Sequence, residues 1–138
     1  MIVRVSQVAT AVFVVASTGA AAWSGLVVVA VLVDLILFAV GCAAFLVAYL
    51  RAVARSRDEA VSLGGLFFLG EGAAPTPVAR MLRVLVGIQI VVALGTAAVR
   101  PFSSLAFGIL APMFGLAMMA LWAAVHGCFP RRETPSVG

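Results

Sequence analysis

Residues 5–50 form one apolar tract interrupted by a single charge, Asp34. A helix crosses a bilayer with roughly 20 residues, so the tract is too long for one crossing and long enough for two. A water-soluble fold of this size cannot hide it, because small domains leave much of their chain exposed. Composition agrees. Of the 138 residues, 64% are hydrophobic and 10% charged, against about 45–50% and about 25% in soluble domains. Mean hydropathy is +1.23. The expected fold class is all-α, a polytopic membrane protein of one domain with four transmembrane helices in a small bundle.

The tract divides at Ala22-Trp23-Ser24-Gly25. Trp favours the membrane interface and Ser-Gly marks a turn. The first span is predicted at residues 5–22 and the second at 26–50. Arg4, the apolar run and Ala20-Ala21-Ala22 also resemble a signal peptide with a small-residue cleavage site. The run exceeds the core of about 7–15 residues that such peptides use, so it is read as a span.

Residues 51–80 are the longest polar segment and are predicted as a loop. Arg55 and Glu59 stand four apart, which extends the second helix beyond the membrane with a surface ion pair. Gly64 to Gly70 encloses the apolar patch Leu66-Phe67-Phe68-Leu69, too short to span. Its flanking glycines predict a loop at the interface or beneath the bundle, with Phe67 and Phe68 as an anchor or a docking face. Glu71 to Pro77 reads as irregular linker. The third span is predicted at 81–99 and contains Gln89. Pro101 stops it, and a following Ser caps the next helix. The fourth span is predicted at 105–125, kinked by Pro112 near its middle. Residues 126–138 form a polar tail whose end is expected to be disordered.

All nine basic residues are Arg. Arg4, Arg51, Arg55, Arg57, Arg80, Arg83, Arg131 and Arg132 fall on one side of this threading, and Arg100 on the other. The positive-inside rule then places both termini and the 51–80 loop in the cytoplasm. The formal charge of +4 reflects this placement and does not point to nucleic acid. Arg51, Arg55 and Arg57 set topology or hold anionic lipid headgroups, each worth about 1 kcal/mol.

Asp34 is the most informative residue. It lies about 12 Å below the outer end of its helix, where a charged carboxylate costs about 2.5–3.5 kcal/mol and needs a partner. Gln89 lies about 15 Å down from the same side, which suits a hydrogen bond clamping the second and third spans; a contact with a polar or basic group of another membrane subunit and a protonatable site on a transport path are the competing readings of Asp34. Arg100 is placed to snorkel toward Asp34. Small residues four apart, such as Ala16/Ala20, Ala39/Ala43, Ala44/Ala48, Ala93/Ala97 and Ala111/Gly115, suit close helix packing.

No catalytic, cofactor or metal constellation emerges from the motifs. Cys42 and Cys128 lie at different depths and are read as free thiols, since a disulfide needs α-carbons within about 7 Å. His126 stands alone at the end of the fourth span and is read as a helix-end residue.

Several runs carry a resemblance: Phe45-Leu46-Val47-Ala48-Tyr49, Arg55-Ser56-Arg57, Gly65-Leu66-Phe67-Phe68-Leu69, Ala98-Val99-Arg100-Pro101-Phe102, Leu105-Ala106-Phe107-Gly108 and Pro112-Met113-Phe114-Gly115-Leu116. With Trp122, His126-Gly127 and Phe129-Pro130-Arg131, the stretch 45–132 resembles an uncharacterised family of small four-span actinobacterial integral membrane proteins. The resemblance implies a plasma-membrane location and a role in respiratory or cell-envelope machinery. It brings no site residue with it. The expected function is a non-catalytic accessory or scaffolding subunit of a larger membrane complex, with other membrane subunits and lipids as partners. The competing expectation is a small oligomeric transporter or channel using Asp34 and Gln89.

Overall fold

The computed structural model describes residues 1–70 and 72–132. Among them the chain is helical: α1 Ile2–Ala22, α2 Val27–Arg55, α3 Leu63–Phe68, α4 Thr76–Val99 and α5 Ala111–His126. A 3₁₀ stretch, Ser104–Leu110, leads into α5. Four segments are long and apolar enough to cross a membrane: Ile2–Ala22, Ser24–Arg55, Thr76–Val99 and Ser104–His126. The protein is an all-α polytopic membrane bundle.

The chain leaves α1 at Trp23 in extended backbone and passes through one 3₁₀ turn, Ser24–Leu26, into α2. Successive crossings alternate in direction. Gln7 meets Met81, and Arg55 meets the end of α5, so the start of α1, the end of α2, the start of α4 and the end of α5 share one end. Ala20, Ala30 and Leu105 pack together toward the other end. The eight arginines grouped by sequence lie at the first end, and Arg100 at the second.

Lipid gives helices no hydrophobic reward for associating, so contact comes from close backbone approach. Gly41 supplies it. A Cβ there would fall 2.8 Å from Phe114 Cα and 2.9 Å from Phe114 N. The parallel pair α2 and α5 therefore touches almost backbone to backbone. Below this crossing, Ala48, Ala52, Ala120, Ala123 and Ala124 are buried with Leu66 and Leu82 in one core cluster.

The structure corrects three expectations. Pro112 does not kink a continuous fourth helix. It occupies the first turn of α5, where its missing N–H has no partner to lose. The residues before it are 3₁₀, so the fourth crossing changes helix type at this point. Next, α4 begins at Thr76, inside the segment expected as loop and linker, whereas α2 continues to Arg55 with the Arg55–Glu59 pair that the sequence spacing anticipated. Pro77 sits in the first turn of α4, which lets the helix start inside what composition marks as linker. Finally, the Gly64–Gly70 patch packs beneath the bundle, one of the two placements expected, but as a short helix and not as a loop. It contains α3, whose N-cap Ser62 Oγ accepts from Gly65 N at 3.0 Å. Leu69 closes the helix in left-handed backbone at φ 52°, and Leu66 and Leu69 are buried under the bundle.

The polar tail is tied down as far as Arg132. Cys128 N donates to the Ala73 carbonyl at 3.1 Å, Ala60 N to Pro130 at 2.8 Å and Arg132 N to Asp58 at 3.0 Å. The expected disorder of the tail's end concerns residues 133–138, which lie outside the described residues, as does Glu71 in the linker.

Candidate functional site

Six polar residues are buried in the bundle: Ser6, Thr10, Ser17, Asp34, Gln89 and Thr96. Three come from α1, where Ser6, Thr10, Phe13, Ser17 and Ala20 form the buried face. Their helical spacing puts them on one stripe. On α4, Gln89, Ala93 and Thr96 continue the buried face. Thr10 and Ser17 are seven residues apart, as are Gln89 and Thr96, so each pair is two turns apart on one face. Because α1 and α4 run parallel, the two ladders line up. Gln89 Nε2 donates to Thr10 Oγ1 at 2.8 Å, forming the lower rung.

Asp34 enters from α2 above this rung and is 1% exposed. A Cβ on Gly108 would stand 3.7 Å from Asp34 Oδ2, 3.8 Å from Phe13 Cε2 and 3.9 Å from Ala93 Cα. The carboxylate thus faces the point where α1, α4 and the 3₁₀ stretch converge. Gly108 makes room there. Ser17 precedes the turn at Ser24–Leu26 by about as many residues as Asp34 follows it. Thr96 Oγ1 on α4 donates back to the Val92 carbonyl at 2.8 Å.

The expected Asp34–Gln89 hydrogen bond is absent among the described residues. Phe13, fully buried, fills the level between them, and Gln89 turns its amide to Thr10 instead. Gly115 packs against the other side of Gln89, since a Cβ there would lie 2.5 Å from Gln89 Oε1. Arg100 does not reach Asp34 either. It ends α4, and its carbonyl accepts from Ser103 Oγ at 2.7 Å. Ser17 Oγ, Asp34 Oδ1 and Gln89 Oε1 are buried with no hydrogen-bond partner.

Ser6, Thr10, Ser17 and Thr96 went unread in the sequence. Their signal was present: Ser and Thr at helical spacing on α1 and a seven-residue repeat shared with α4. It was masked because Ser and Thr are tolerated anywhere in an apolar helix.

The basic end holds a second set of polar contacts. Arg55, expected at the lipid surface with Arg51 and Arg57, is turned inward. Its Nη1 donates to the carbonyls of Ala123 and Ala124 at 3.2 and 3.3 Å, and its Nη2 to Gly127 at 2.8 Å. It also pairs with Glu59 at 2.6 Å and lies 5.2 Å from the Phe129 ring centroid. A cation on the last carbonyls of a helix satisfies its open acceptors and complements its dipole. Arg51 and Arg57 remain exposed.

Phe67 and Phe68 part company. Phe67 stacks on Phe45 of α2, with ring centroids 5.5 Å apart, whereas Phe68 is 61% exposed. Between α2 and α3 runs an apolar groove of about 500 Å³, lined by Phe45, Leu46, Tyr49, Val53, Leu63 and Phe67 among others. His126 stacks on Trp122 at 5.4 Å. Cys42 and Cys128 are free thiols. Among the described residues no cluster of His, Cys, Asp or Glu is placed to hold a metal ion.

Comparison of the chain with models of protein families, with curated proteins and with solved structures finds no match.

Proposed function

We propose that the protein is a non-catalytic subunit of a larger complex in the plasma membrane, with its arginine-rich end in the cytoplasm, and that it docks through the groove between α2 and α3. The groove carries this reading. It is apolar and open, and Leu63 at its rim is 75% exposed at the end of the bundle where the arginines gather. Aliphatic and aromatic side chains in a groove of this kind suit an apolar helix of a neighbouring subunit. The buried position of Asp34 and Gln89, among packed side chains, supports a subunit over a conduit through one copy. The resemblance over residues 45–132 suggests respiratory or envelope machinery as the setting.

The test is a photo-crosslinking residue placed at Leu46, in the groove, and separately at Val91, on the exposed face of α4. A tagged chain solubilised in mild detergent should yield a discrete crosslinked membrane polypeptide from Leu46 and none from Val91. Equal crosslinking to lipid alone from both positions would remove the groove as a docking face. Recovery as a homo-oligomer would favour the transporter reading.

A further inference from the structure

The stretch Pro130 to Arg132 lies antiparallel against the turn that follows α2. Ala60 N donates to the Pro130 carbonyl at 2.8 Å and Arg132 N to the Asp58 carbonyl at 3.0 Å. Glu59 stands opposite Arg131 in an isolated bridge. These backbone bonds hold two segments distant in sequence in one register. They bring Arg57, Arg131 and Arg132 around a cleft of about 550 Å³, whose lining Asp58 and Glu59 complete. Other arginines at this end are used by the fold. Arg55 is taken by the carbonyls of α5 and by Glu59, and Arg83 donates to the carbonyls of Phe68 and Leu69. Arg57, Arg131 and Arg132 are exposed, and among the described residues their guanidinium groups make no hydrogen bond or ion pair. Glu59 is already neutralised by Arg55 at 2.6 Å. Three guanidinium charges therefore face one free carboxylate, that of Asp58, which leaves two positive charges unbalanced.

We propose that Arg57, Arg131 and Arg132 form a binding site for one phosphate group of about two negative charges, and that in the membrane this group is the headgroup of an anionic lipid. The chemistry sets the ligand. Guanidinium forks match phosphate oxygens in pairs. Two unbalanced positive charges match a phosphate monoester, which carries about −1.5 to −2 near neutral pH. The fold sets the source. Helix α2 has 29 residues and at about 1.5 Å per residue spans about 43 Å. A bilayer with its headgroups measures about 40–45 Å. The helix starts beside Trp23, a residue suited to the interface, so its other end falls among the headgroups of the opposite leaflet. Arg57 follows directly on that end, and the bridge to Glu59 brings Arg131 to the same level. A lipid phosphate lies at this depth and needs no diffusion from solution. The cleft shares no residue with the groove lined by Phe45 and Leu63, so the site is independent of the docking reading.

The full chain in a neutral detergent is titrated by calorimetry with three ligands: dioctanoyl phosphatidic acid, dioctanoyl phosphatidylcholine and inorganic phosphate. Phosphatidic acid should bind once per chain, and phosphatidylcholine, which has no net charge, far more weakly. Arg57→Gln, Arg131→Gln and Arg132→Gln should each weaken phosphatidic acid by about tenfold. These side chains make no contact that the fold uses, so the variants should keep the unfolding temperature of the parent, which is measured alongside. Arg51→Gln removes the same charge from an exposed position outside the cleft and should leave the affinity unchanged. Binding of phosphatidic acid well above that of inorganic phosphate supports the lipid headgroup. Equal binding of the two keeps the phosphate site and overturns the lipid as its source. Absence of binding by both overturns the site. So does phosphatidylcholine binding as tightly as phosphatidic acid, or a loss in Arg51→Gln equal to that in the cleft variants, since either would show that the cleft does not select the phosphate.

Discussion

Arg55 donates to the carbonyl of Gly127 at 2.8 Å and so fastens the end of the second crossing to the end of the fourth. The same guanidinium reaches Ala123 and Ala124. This one side chain closes α5 and orients the tail that pairs with Asp58 and Ala60. Arg55→Ala strands the carbonyls of Ala124 and Gly127, while Ala123 keeps its bond from Gly127 N, and should cost about 1–3 kcal/mol. Glu59→Gln should cost less, since a partly exposed ion pair is worth about 0–1 kcal/mol. Thermal unfolding in detergent ranks the two. Faster hydrogen exchange across 123–132 in Arg55→Ala is the local signature, and its absence would refute the capping role.

Gly41 faces the backbone of Phe114, which cannot rotate away. Gly41→Ala should therefore lower stability by about 1–3 kcal/mol. Gly87→Ala and Gly95→Ala, where a Cβ meets nothing within 4 Å, should leave it equal or slightly higher. Gly115→Ala is intermediate in kind, because it meets the side chains of Gln89 and Val86. Equal losses at Gly41 and Gly95 would contradict the close approach of α2 and α5.

Thr10 and Gln89 form a double-mutant cycle. Thr10→Val or Gln89→Leu alone leaves one buried polar group without its partner, whereas both together leave neither. The single losses should exceed the double-mutant loss by about 0.6 kcal/mol, the average for interhelical hydrogen bonds in membranes. Additive losses would show that the contact contributes nothing.

Cys128 reports orientation. It is exposed at the arginine-rich end. In a Cys42→Ala background, a membrane-impermeant maleimide should leave intact cells unlabelled and modify Cys128 once they are permeabilised. Labelling of intact cells would reverse the topology.

The crossings were legible in the sequence because apolar length and bilayer thickness are tied by the rise of a helix. The turn at Trp23 and the sorting of arginines were legible for similar reasons. Contacts were harder to read. The Ala39/Ala43 pair suited helix packing, yet both face outward, and the contact belongs to Gly41 between them. Small residues are so common here that spacing alone cannot say which face turns inward. Asp34 and Gln89 were readable as buried, but pairing them by depth missed Phe13, which fills the level between. Arg55 was read as a surface charge because its acceptors are backbone carbonyls 68 to 72 positions away, which no residue pattern records.

The 3₁₀ stretch Ser104–Leu110 has a mechanical consequence. Such a stretch rises about 2.0 Å per residue against about 1.5 Å in an α-helix. Rewinding its seven residues would shorten the fourth crossing by about 3–4 Å. The outer end of that crossing would then be drawn toward the bilayer centre, carrying Gly108 past Asp34. A thinner membrane favours the shorter form and a thicker one the longer, so lipid thickness is a force acting along this helix.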